Sequence, residues 1–465
     1  MSKPSIPQGT RDFSPAEVRK RQYIFNILKN IFEQYGFQPL ETPAMENLVT
    51  LTGKYGEEGD RLIFKILNNG LHEKKEQDKE KLNAEWTRIL EKPLSSPVVT
   101  ERALRYDLTI PFARYVVMHQ NDLVFPFRRY QMQPVWRADR PQKGRYREFW
   151  QCDADVVGST SLINEAELLC IYQAAFHQMN LPQVTIKINS RKLLAGLAEI
   201  SGNTDLMIDI TIALDKLDKI GWDGVAKELV QRGVNAEGIS NIQRIISVSG
   251  SNEEKLAALA AIMKDSSIGL QGIDELRQTL KYHSTLINKE WNSNVIVDIS
   301  LARGLNYYTG VIVEVTTDAV KMGSIGGGGR YDDLTGLFGL KGLSGVGVSF
   351  GIDRIYDVLD ELDLFPAELS VATQLMILNF GGDNETYALQ VLQQFRDAGI
   401  TAEIYPDAAK FDKQMKYANK RNVSFVLMAG DEEREKNRYS LKNFKSGEQQ
   451  MLSLADCINY IKKDA

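Results

Sequence analysis

The sequence predicts an α+β protein with more than one domain. Strand-rich segments lie on both sides of a helical block, and strands alternate with helices in the last part of the chain. At 465 residues, with 43% hydrophobic side chains, the chain can bury more than one core. We therefore expect a first domain made of residues 1–190 and 287–365, a helical insertion at 191–286, and an α/β domain at 372–465.

The composition argues against several classes of protein. No apolar run approaches the roughly 20 residues that cross a bilayer, and the first ten residues lack the apolar core of a signal peptide. The three cysteines and four histidines are too widely spaced for a disulfide framework, a zinc site or a histidine-based triad. We expect a cytoplasmic protein with reduced thiols, no membrane contact and no metal site. The net charge of −5 leaves room for local basic surfaces only.

The first predicted element is a helix. Ser14 suits the N-cap, Pro15 the first helical position and Glu17 a capping box, while Gly36 ends the pattern. Its apolar face consists of four regularly spaced residues, Ile24, Ile27, Leu28 and Ile31. The next segment, FQPLETP, predicts a strand that ends at Pro43.

Residues 71–97 contain the charged run HEKKEQDKEK, which predicts a solvated excursion from the first domain. A functional basic arm is the less favoured alternative because acidic and basic residues alternate there. Short strands rich in Val, Tyr, Phe and Trp are expected after it, through Val157. Within that stretch, Asp107 and Thr109 are expected on one strand face, where a carboxylate and a hydroxyl could hold an ammonium group. A turn or a helix cap is the alternative for this pair.

The segment RADRPQKGRYREFWQCDADVVG, residues 137–158, has the most pronounced pattern. Five cations between residues 137 and 147 flank a single acid, Asp139. Strand alternation then places one set of side chains on a common face: Arg147, Phe149, Gln151, Asp153 and Asp155. This face suits a ligand with phosphates at one end and a cationic group at the other. A solvated sheet face with scattered charge is the alternative.

The helical block contains NEEKLAALAAIM, which Ser251 and Glu254 begin as a capping box, and strands return from about residue 294 to Phe350. Two glycine-rich pieces, GSIGGGGRYDDL and GLSGVGVSFGIDRI, lack the lysine and the glycine spacing of nucleotide-binding loops. We expect glycines in strands that let a ligand approach the backbone. A strand-to-helix junction at Gly351 would aim Arg354 at an anion.

In the last domain, KFDKQMKYANKR predicts an amphipathic helix. Four lysines share one side of it, Lys410, Lys413, Lys416 and Lys420, with Phe411, Met415 and Ala418 opposite. A basic stripe of this kind suits RNA phosphates. Ordinary solvated lysines are the alternative.

Taken together, these segments resemble the histidyl-tRNA synthetase family of class II aminoacyl-tRNA synthetases, over almost the whole chain. ETPAMEN is similar to the first class II motif at the dimer interface, FRRYQMQPVWRADRPQKGRYREFWQCDADVVG to the second and GVGVSFGIDRI to the third. LARGLNYYTG and GGGGRYDDL resemble the two signatures specific to this family. The resemblance implies a catalytic domain with a mixed, mainly antiparallel sheet flanked by helices, and an anticodon-binding α/β domain at the end.

The resemblance also implies which residues bind ATP. Arg137 would contact the α-phosphate, Arg145 and Arg354 would hold the outer phosphates, and Phe149 with Arg354 would sandwich the adenine. Magnesium would enter with ATP, as substrate.

For histidine, the resemblance implies that Asp107, Thr109 and Gln151 take the α-ammonium group, and that Asp155 and Tyr308 take the imidazole. Two further tyrosines, Tyr307 and Tyr331, would line the same pocket. Arg303 would lie against the α-phosphate and the carboxylate of histidine as a fixed cation. Two departures stand out: Asn306 replaces the usual Asp, and Asp107 and Asp155 replace the Glu of many bacterial members.

The function implied is a homodimeric histidine–tRNA ligase that uses ATP, L-histidine and tRNA(His). One alternative is a synthetase-like regulator of histidine biosynthesis that has lost the tRNA domain. Another is a synthetase for a different amino acid, against which Asp155 and Tyr308 argue.

Overall fold

The computed structural model describes residues 3–91, 96–291, 293–302, 307–370 and 373–464. The chain divides into two compact units. The first contains Met1–Asp12 and Arg21–Leu364, and the second contains Phe13–Lys20 and Phe365–Ala465. No helix in the described ranges is both long and apolar enough to cross a membrane.

The strands of the first unit are β1 (Gln38–Pro39), β2 (Met45–Asn47), β3 (Lys65–Ile66), β4 (Arg102–Leu104), β5 (Phe127–Trp136), β6 (Glu148–Val157), β7 (Val184–Ser190), β8 (Ser293–Val297), β9 (Val311–Thr317), β10 (Gly326–Tyr331) and β11 (Gly345–Gly351). In the described part of the chain, eight of them form one sheet in the order β1-β5-β6-β11-β10-β9-β7-β8. The β1–β5 and β7–β8 pairs are parallel and the other neighbours are antiparallel. The predicted mixed, mainly antiparallel sheet is therefore confirmed. A small antiparallel sheet contains β2, β4 and β3.

The residues of helix α1 (Pro15–Gln34) are divided between the two units. The helices of the first unit are α2 (Leu48–Leu51), α3 (Gly56–Arg61), α4 (Glu76–Glu91), α5 (Thr109–Met118), α6 (Ile163–Gln178), α7 (Arg191–Ile200), α8 (Met207–Leu214), α9 (Leu217–Gln231), α10 (Ala236–Ile246), α11 (Asn252–Ile262), α12 (Ser267–Leu286) and α13 (Ile352–Glu361). Short 3₁₀ helices cover Leu71–Glu73, Thr204–Leu206 and Leu334–Phe338.

The predicted first helix is confirmed as α1. The Ser14 backbone N–H donates to Glu17 Oε2 at 2.6 Å, and the Glu17 N–H donates to Ser14 Oγ at 3.3 Å, which completes the capping box. Ile24, Leu28 and Ile31 are buried along one face, as the spacing predicts.

The strand predicted for FQPLETP is much shorter than expected. Only Gln38 and Pro39 pair with β5. The carbonyl oxygens of Thr42 and Pro43 accept hydrogen bonds from Nη1 of the buried Arg105, at 2.6 and 3.2 Å. Because this side chain satisfies the backbone, the segment does not need a neighbouring strand.

The prediction of a strand across Asp107 and Thr109 is wrong, because the helix α5 begins at Thr109. Apolar residues recur there at helical spacing, with Ile110, Ala113 and Val116 buried. Asp107 precedes the N-cap, Leu108, and its Oδ1 accepts the Ile110 N–H at 3.2 Å, so the alternative of a turn at the start of a helix is the one the structure favours.

The charged excursion forms the helix α4, none of whose described residues is buried. This agrees with a solvated segment, although residues 92–95 lie outside the described ranges. The helical block is made of α7 to α12, and α11 carries the predicted capping box of Ser251 and Glu254.

The second unit contains the strands β12 (Leu375–Ile377), β13 (Ala402–Ile404), β14 (Phe425–Met428), β15 (Tyr439–Asn443) and β16 (Gln449–Leu452), the helices α14 (Asp383–Asp397), α15 (Phe411–Lys420), α16 (Asp431–Lys436) and α17 (Leu454–Asp464), and a 3₁₀ helix at Ala367–Ser370. β12 pairs in parallel with β13 and β14, as predicted. The sequence analysis missed the antiparallel addition of β15 and β16.

Candidate active site

A cavity of about 350 Å³ opens beside β6, β10 and β11 of the main sheet. Among the predicted site residues that the structure describes, six line it: Arg137, Arg145, Phe149, Gln151, Tyr308 and Arg354. Three carboxylates that the sequence analysis did not assign to the site also line it: Asp139, Glu314 and Asp353. The charged segment 137–158, Tyr308 and the strand-to-helix junction at Gly351 therefore meet at one cavity.

Arg137 lies between two aromatic rings. Its guanidinium carbon is 4.3 Å from the centroid of Tyr106 and 5.1 Å from that of Phe149. Its Nε donates to the Tyr106 carbonyl oxygen at 3.2 Å. These contacts limit the rotamers of the side chain and hold a positive charge at the cavity wall.

Two more guanidinium groups, those of Arg145 and Arg354, line the cavity. Arg354, in the first turn of α13, donates from Nε to the Gly144 carbonyl at 2.7 Å and from Nη1 to the Ser324 carbonyl at 2.6 Å. Arg145 forms an ion pair with Asp139 at 3.2 Å, and its side chain is 48% exposed. The strand-to-helix junction predicted for Arg354 is confirmed.

Glycines of β10 form part of the cavity wall, as predicted for glycine-bearing strands. Gly326, Gly327 and Gly328 line the cavity. A Cβ atom added to Gly328 would lie 2.2 Å from the Gly347 carbonyl oxygen, so a side chain there would separate β10 from β11.

The side chain of Gln151, on one face of β6, lines the cavity. Its Nε2 donates to Ser349 Oγ at 2.9 Å. Its Oε1 is buried and has no hydrogen-bond partner among the described residues. The amide oxygen is therefore available to accept a hydrogen bond from an ammonium group.

Asp107 is buried beside two tyrosines. Tyr55 donates to Oδ1 at 2.9 Å, and Tyr307 donates to Oδ2 at 3.3 Å. Burial raises the pKa of Asp107, while the hydrogen bonds from Ile110 and Tyr55 oppose that shift. Tyr307 also interacts with Thr109.

Asp155 is buried against a guanidinium and a phenol. Its Oδ2 lies 2.8 Å from Arg129 Nη2, and its Oδ1 accepts from the Tyr331 hydroxyl at 2.7 Å. Burial raises the pKa of Asp155 even though Arg129 opposes the shift. Gly347 lies opposite Asp155 in the sheet, and a Cβ atom there would come within 1.9 Å of Oδ1.

Tyr308 lines the cavity and lies close to the buried carboxylates Asp107 and Asp155. Its ring packs against that of Tyr307 with centroids 5.0 Å apart. Burial raises the pKa of Tyr308 well above its usual value, and the nearby carboxylates Asp155, Asp153 and Asp107 reinforce the shift. The phenol therefore stays protonated and can donate a hydrogen bond.

The sequence analysis missed Arg129 and assigned no role to Asp153. Arg129 is fully buried on β5, directly opposite Asp155 in the register. Asp153 shares the strand face of Gln151 and Asp155, as the alternation predicted, and burial raises its pKa to about 7. Arg129 and Gln131 flank the core residue Tyr130 on β5, which hinted that Arg129 is buried, but only the register identifies its partner.

Arg303 and Asn306 lie outside the described residues, so their predicted roles stay predictions. Among the described residues, no group of three or more His, Cys, Asp or Glu side chains could hold a metal ion.

In the second unit, α15 carries the predicted basic stripe. Lys413, Lys416 and Lys420 are exposed on it and Ala418 is buried. Phe411, which the pattern placed on the side opposite the lysines, is 43% exposed. Gln414 is buried in its place and bonds to both the N–H and the carbonyl of Asn379, at 2.9 and 2.8 Å.

Comparisons with known proteins agree with this geometry. The family model described as histidyl-tRNA synthetase matches residues 95–355, and that of the anticodon binding domain matches residues 374–464. Histidine–tRNA ligase of Bacteroides fragilis is 53% identical over 462 residues, which cover 99% of this chain and 100% of the relative. That of Christiangramia forsetii is 54% identical over 454 residues, 97% of each chain.

Solved structures share the fold. The crystal structure of histidyl-tRNA synthetase from Nostoc sp. PCC 7120 is 30% identical, with a TM-score of 0.82 and full coverage of both chains. The apo histidyl-tRNA synthetase of S. aureus, at 22% identity and a TM-score of 0.68, covers 99% of this chain and 100% of its own, and shows similarity of fold alone.

Proposed function

The chain belongs to the histidyl-tRNA synthetase family and is a class II histidine–tRNA ligase, and from this premise we propose how its residues carry out the reaction. The enzyme activates L-histidine with ATP to histidyl-adenylate and pyrophosphate, then transfers histidine to the 3′ end of tRNA(His). The observation that carries this proposal is the convergence of Arg137, Gln151, Tyr308 and Arg354 on one cavity.

The cation end of the cavity binds MgATP. Arg137 contacts the α-phosphate, Arg145 and Arg354 the outer phosphates, and Phe149 and Arg354 enclose the adenine. The fixed positions of Arg137 and Arg354 support these roles, since both side chains are held by backbone carbonyl oxygens. Arg145 is 48% exposed and pairs with Asp139, so it can exchange that carboxylate for a phosphate.

Histidine binds where Gln151 and Tyr308, which line the cavity, approach the buried carboxylates Asp107 and Asp155. The carboxylate of Asp107, the hydroxyl of Thr109 and the free amide oxygen of Gln151 suit the α-ammonium group. Asp155 and Tyr308 read the imidazole, and Tyr307 and Tyr331 hold the two carboxylates in place. A hydrocarbon side chain would leave these buried groups unpaired, which can reduce kcat/KM by about 10⁴- to 10⁵-fold.

Adenylation needs positive charge more than proton transfer. The carboxylate of histidine attacks the α-phosphorus and pyrophosphate leaves, so negative charge accumulates without a proton moving at the reacting centre. We assign Arg303 and Arg137 to the stabilisation of this negative charge. Magnesium arrives with the nucleotide.

We further propose that residues 372–465 bind the anticodon of tRNA(His) and that 1–190 with 287–365 form the catalytic domain around the helical insertion 191–286. The anticodon-binding match at 374–464 supports the first assignment. It also argues against the regulator, which lacks that domain. The three free, buried cysteines suit a reducing, cytoplasmic setting.

The test is ATP–pyrophosphate exchange measured with each of the twenty amino acids. Exchange that depends on histidine supports the proposal. Exchange with a different amino acid would identify another synthetase, and no exchange with any amino acid would support the regulator.

A further inference from the structure

The segment Gln8–Arg11, which precedes α1, touches the charged loop of residues 137–147. The Gly9 carbonyl oxygen accepts the Arg147 N–H at 2.9 Å. The Gln8 carbonyl oxygen accepts from Arg147 Nη1 at 3.4 Å. Both ends of this contact lie within the first unit.

Arg11 makes the central contact of this segment. Its guanidinium carbon lies 3.4 Å from the centroid of the Tyr146 ring, and Nη2 forms an ion pair with Asp353 Oδ1. The Tyr146 hydroxyl donates to Asp357 Oδ2 at 2.8 Å. Tyr146 is thus held between Arg11 and α13, and it lines the cavity directly beside Arg145 in the chain.

We propose that Gln8–Arg11 is a positioning strap for the ATP-binding loop, with Arg11 acting through Tyr146 to hold Arg145 where the outer phosphates bind. The proposal rests on the ATP site proposed above. In this proposal Gln8–Arg11 contacts neither ATP nor histidine but determines the position of Arg145, which contacts ATP.

The physical reason is the charge of the loop. Five cations and one acid, Asp139, lie between residues 137 and 147, and the excess of positive charge favours an open loop. Phosphate binding requires the guanidinium groups to be held close to their productive positions before the ligand arrives. The strap supplies two carbonyl acceptors and one stacked ring contact without adding an anion that would compete for the phosphate site.

Gly9 shows how closely the strap packs. Its φ of +85° lies in the region that favours glycine. A Cβ atom would come within 2.8 Å of Arg147 Cγ and 2.9 Å of Pro141 Cγ. A side chain at this position would push the strap off the loop.

The experiment compares Arg11→Ala, Gly9→Ala and the control Gln8→Ala in the full-length chain. Gln8 contributes only its backbone carbonyl and its side chain is exposed, so its substitution leaves the strap contact intact. Calorimetric ATP affinity is measured without amino acid, and KM for ATP and for histidine are measured by pyrophosphate exchange. We expect Arg11→Ala and Gly9→Ala to weaken ATP binding roughly 10- to 100-fold, with KM for histidine changed by less than about twofold.

A double-mutant cycle tests whether Arg11 acts through Tyr146. If Arg11 acts through Tyr146, Arg11→Ala should weaken ATP binding little further in a Tyr146→Ala background. The proposal would be overturned if the two substitutions reduced ATP affinity by independent factors in the double variant, or if the single variants bound ATP as tightly as wild type. If Arg11→Ala does not fold, Arg11→Lys removes the planar stack and keeps the ion pair, so it should shift ATP affinity in the same direction by less. Because ATP affinity is measured without amino acid, a failure of histidine specificity leaves this test intact.

Discussion

At the scale of single residues, the site depends on how buried charges are paired. Arg129 is completely buried, and it faces a cluster that contains Asp153 and Asp155. One guanidinium therefore serves two carboxylates, which leaves one carboxylate short of a partner of opposite charge. A buried, uncompensated carboxylate favours its protonated form.

Asp153→Asn should change how stability depends on pH. Burial raises the pKa of Asp153 to about 7, whereas an unfolded Asp titrates near 4. The folded state therefore binds more protons between these values, and wild-type stability falls as pH rises through them. The variant should gain stability relative to wild type as pH rises from 5 to 8, measured by urea unfolding at several pH values. A pH-independent difference would contradict the pairing described for Arg129.

Arg303→Ala should lower the rate of adenylation about 10²- to 10³-fold, because one preorganised charge at the α-phosphate is lost. Histidine affinity should change much less. Single-turnover adenylation and equilibrium binding of histidine measure the two quantities separately. Equal adenylation rates in variant and wild type would reject the role assigned to this arginine.

At the scale of elements, strand alternation determines which side chains reach the cavity. Cys152 and Ala154 of β6 are fully buried in the core, while Gln151, Asp153 and Asp155 lie on the polar face. The sequence predicted this alternation because it depends only on spacing along one strand. It could not predict that Gly347 of β11 lies opposite Asp155, because register depends on the partner strand.

Gly347→Ala should raise KM for histidine roughly 10- to 100-fold, the equivalent of about 1.4 to 2.8 kcal/mol. A Cβ atom would displace the Asp155 carboxylate from Arg129 and Tyr331. The measurement is pyrophosphate exchange with varied histidine.

The matched control is Val348→Ala, next in the same strand. Val348 is 3% exposed, so its truncation should destabilise the core by about 1 to 3 kcal/mol without touching Asp155. An equal rise of KM in both variants would mean that Gly347→Ala acts through general destabilisation.

At the scale of the whole molecule, the two units carry different proposed partners. The net charge of −5 makes a general attraction to RNA unfavourable, so a local basic surface is needed. The exposed lysines of α15 provide one, although Phe411 is exposed beside them rather than packed beneath.

Replacing Lys413 and Lys416 with Ala should weaken tRNA binding and reduce its salt dependence by roughly 0.7 to 0.9 in log–log slope per lost phosphate contact. Pyrophosphate exchange should not change, because it needs no tRNA. The matched control replaces Lys462 and Lys463 of α17, which are also exposed in the second unit. Equal losses in the two double variants would indicate nonspecific charge attraction.

The homodimer that the resemblance implies is a prediction at this scale. Val49 of α2 is 68% exposed and follows ETPAMEN, the segment that resembles the class II dimer motif. Val49→Asp should shift the protein towards monomer in sedimentation velocity runs. Val230→Asp, at the 62% exposed position in α9, should leave the oligomeric state unchanged. A monomeric wild type would contradict the homodimer that the resemblance implies.

Local spacing was enough to predict much of this protein. The capping boxes of α1 and α11, the alternation of β6 and the glycine-bearing strands depend on residues close together in sequence, and all are confirmed. The parallel pairs of the second unit were predicted from the alternation of strands and helices along the chain and are also confirmed. The helix at Thr109 was missed although its apolar residues recur at helical spacing and the Asp107–Ile110 contact is local. Only the tertiary structure could decide the pairing of Arg129 with Asp155 and the contact of Gly9 with Arg147. These depend on which distant backbone or charge satisfies a buried group, and that depends on contacts between segments far apart in the chain.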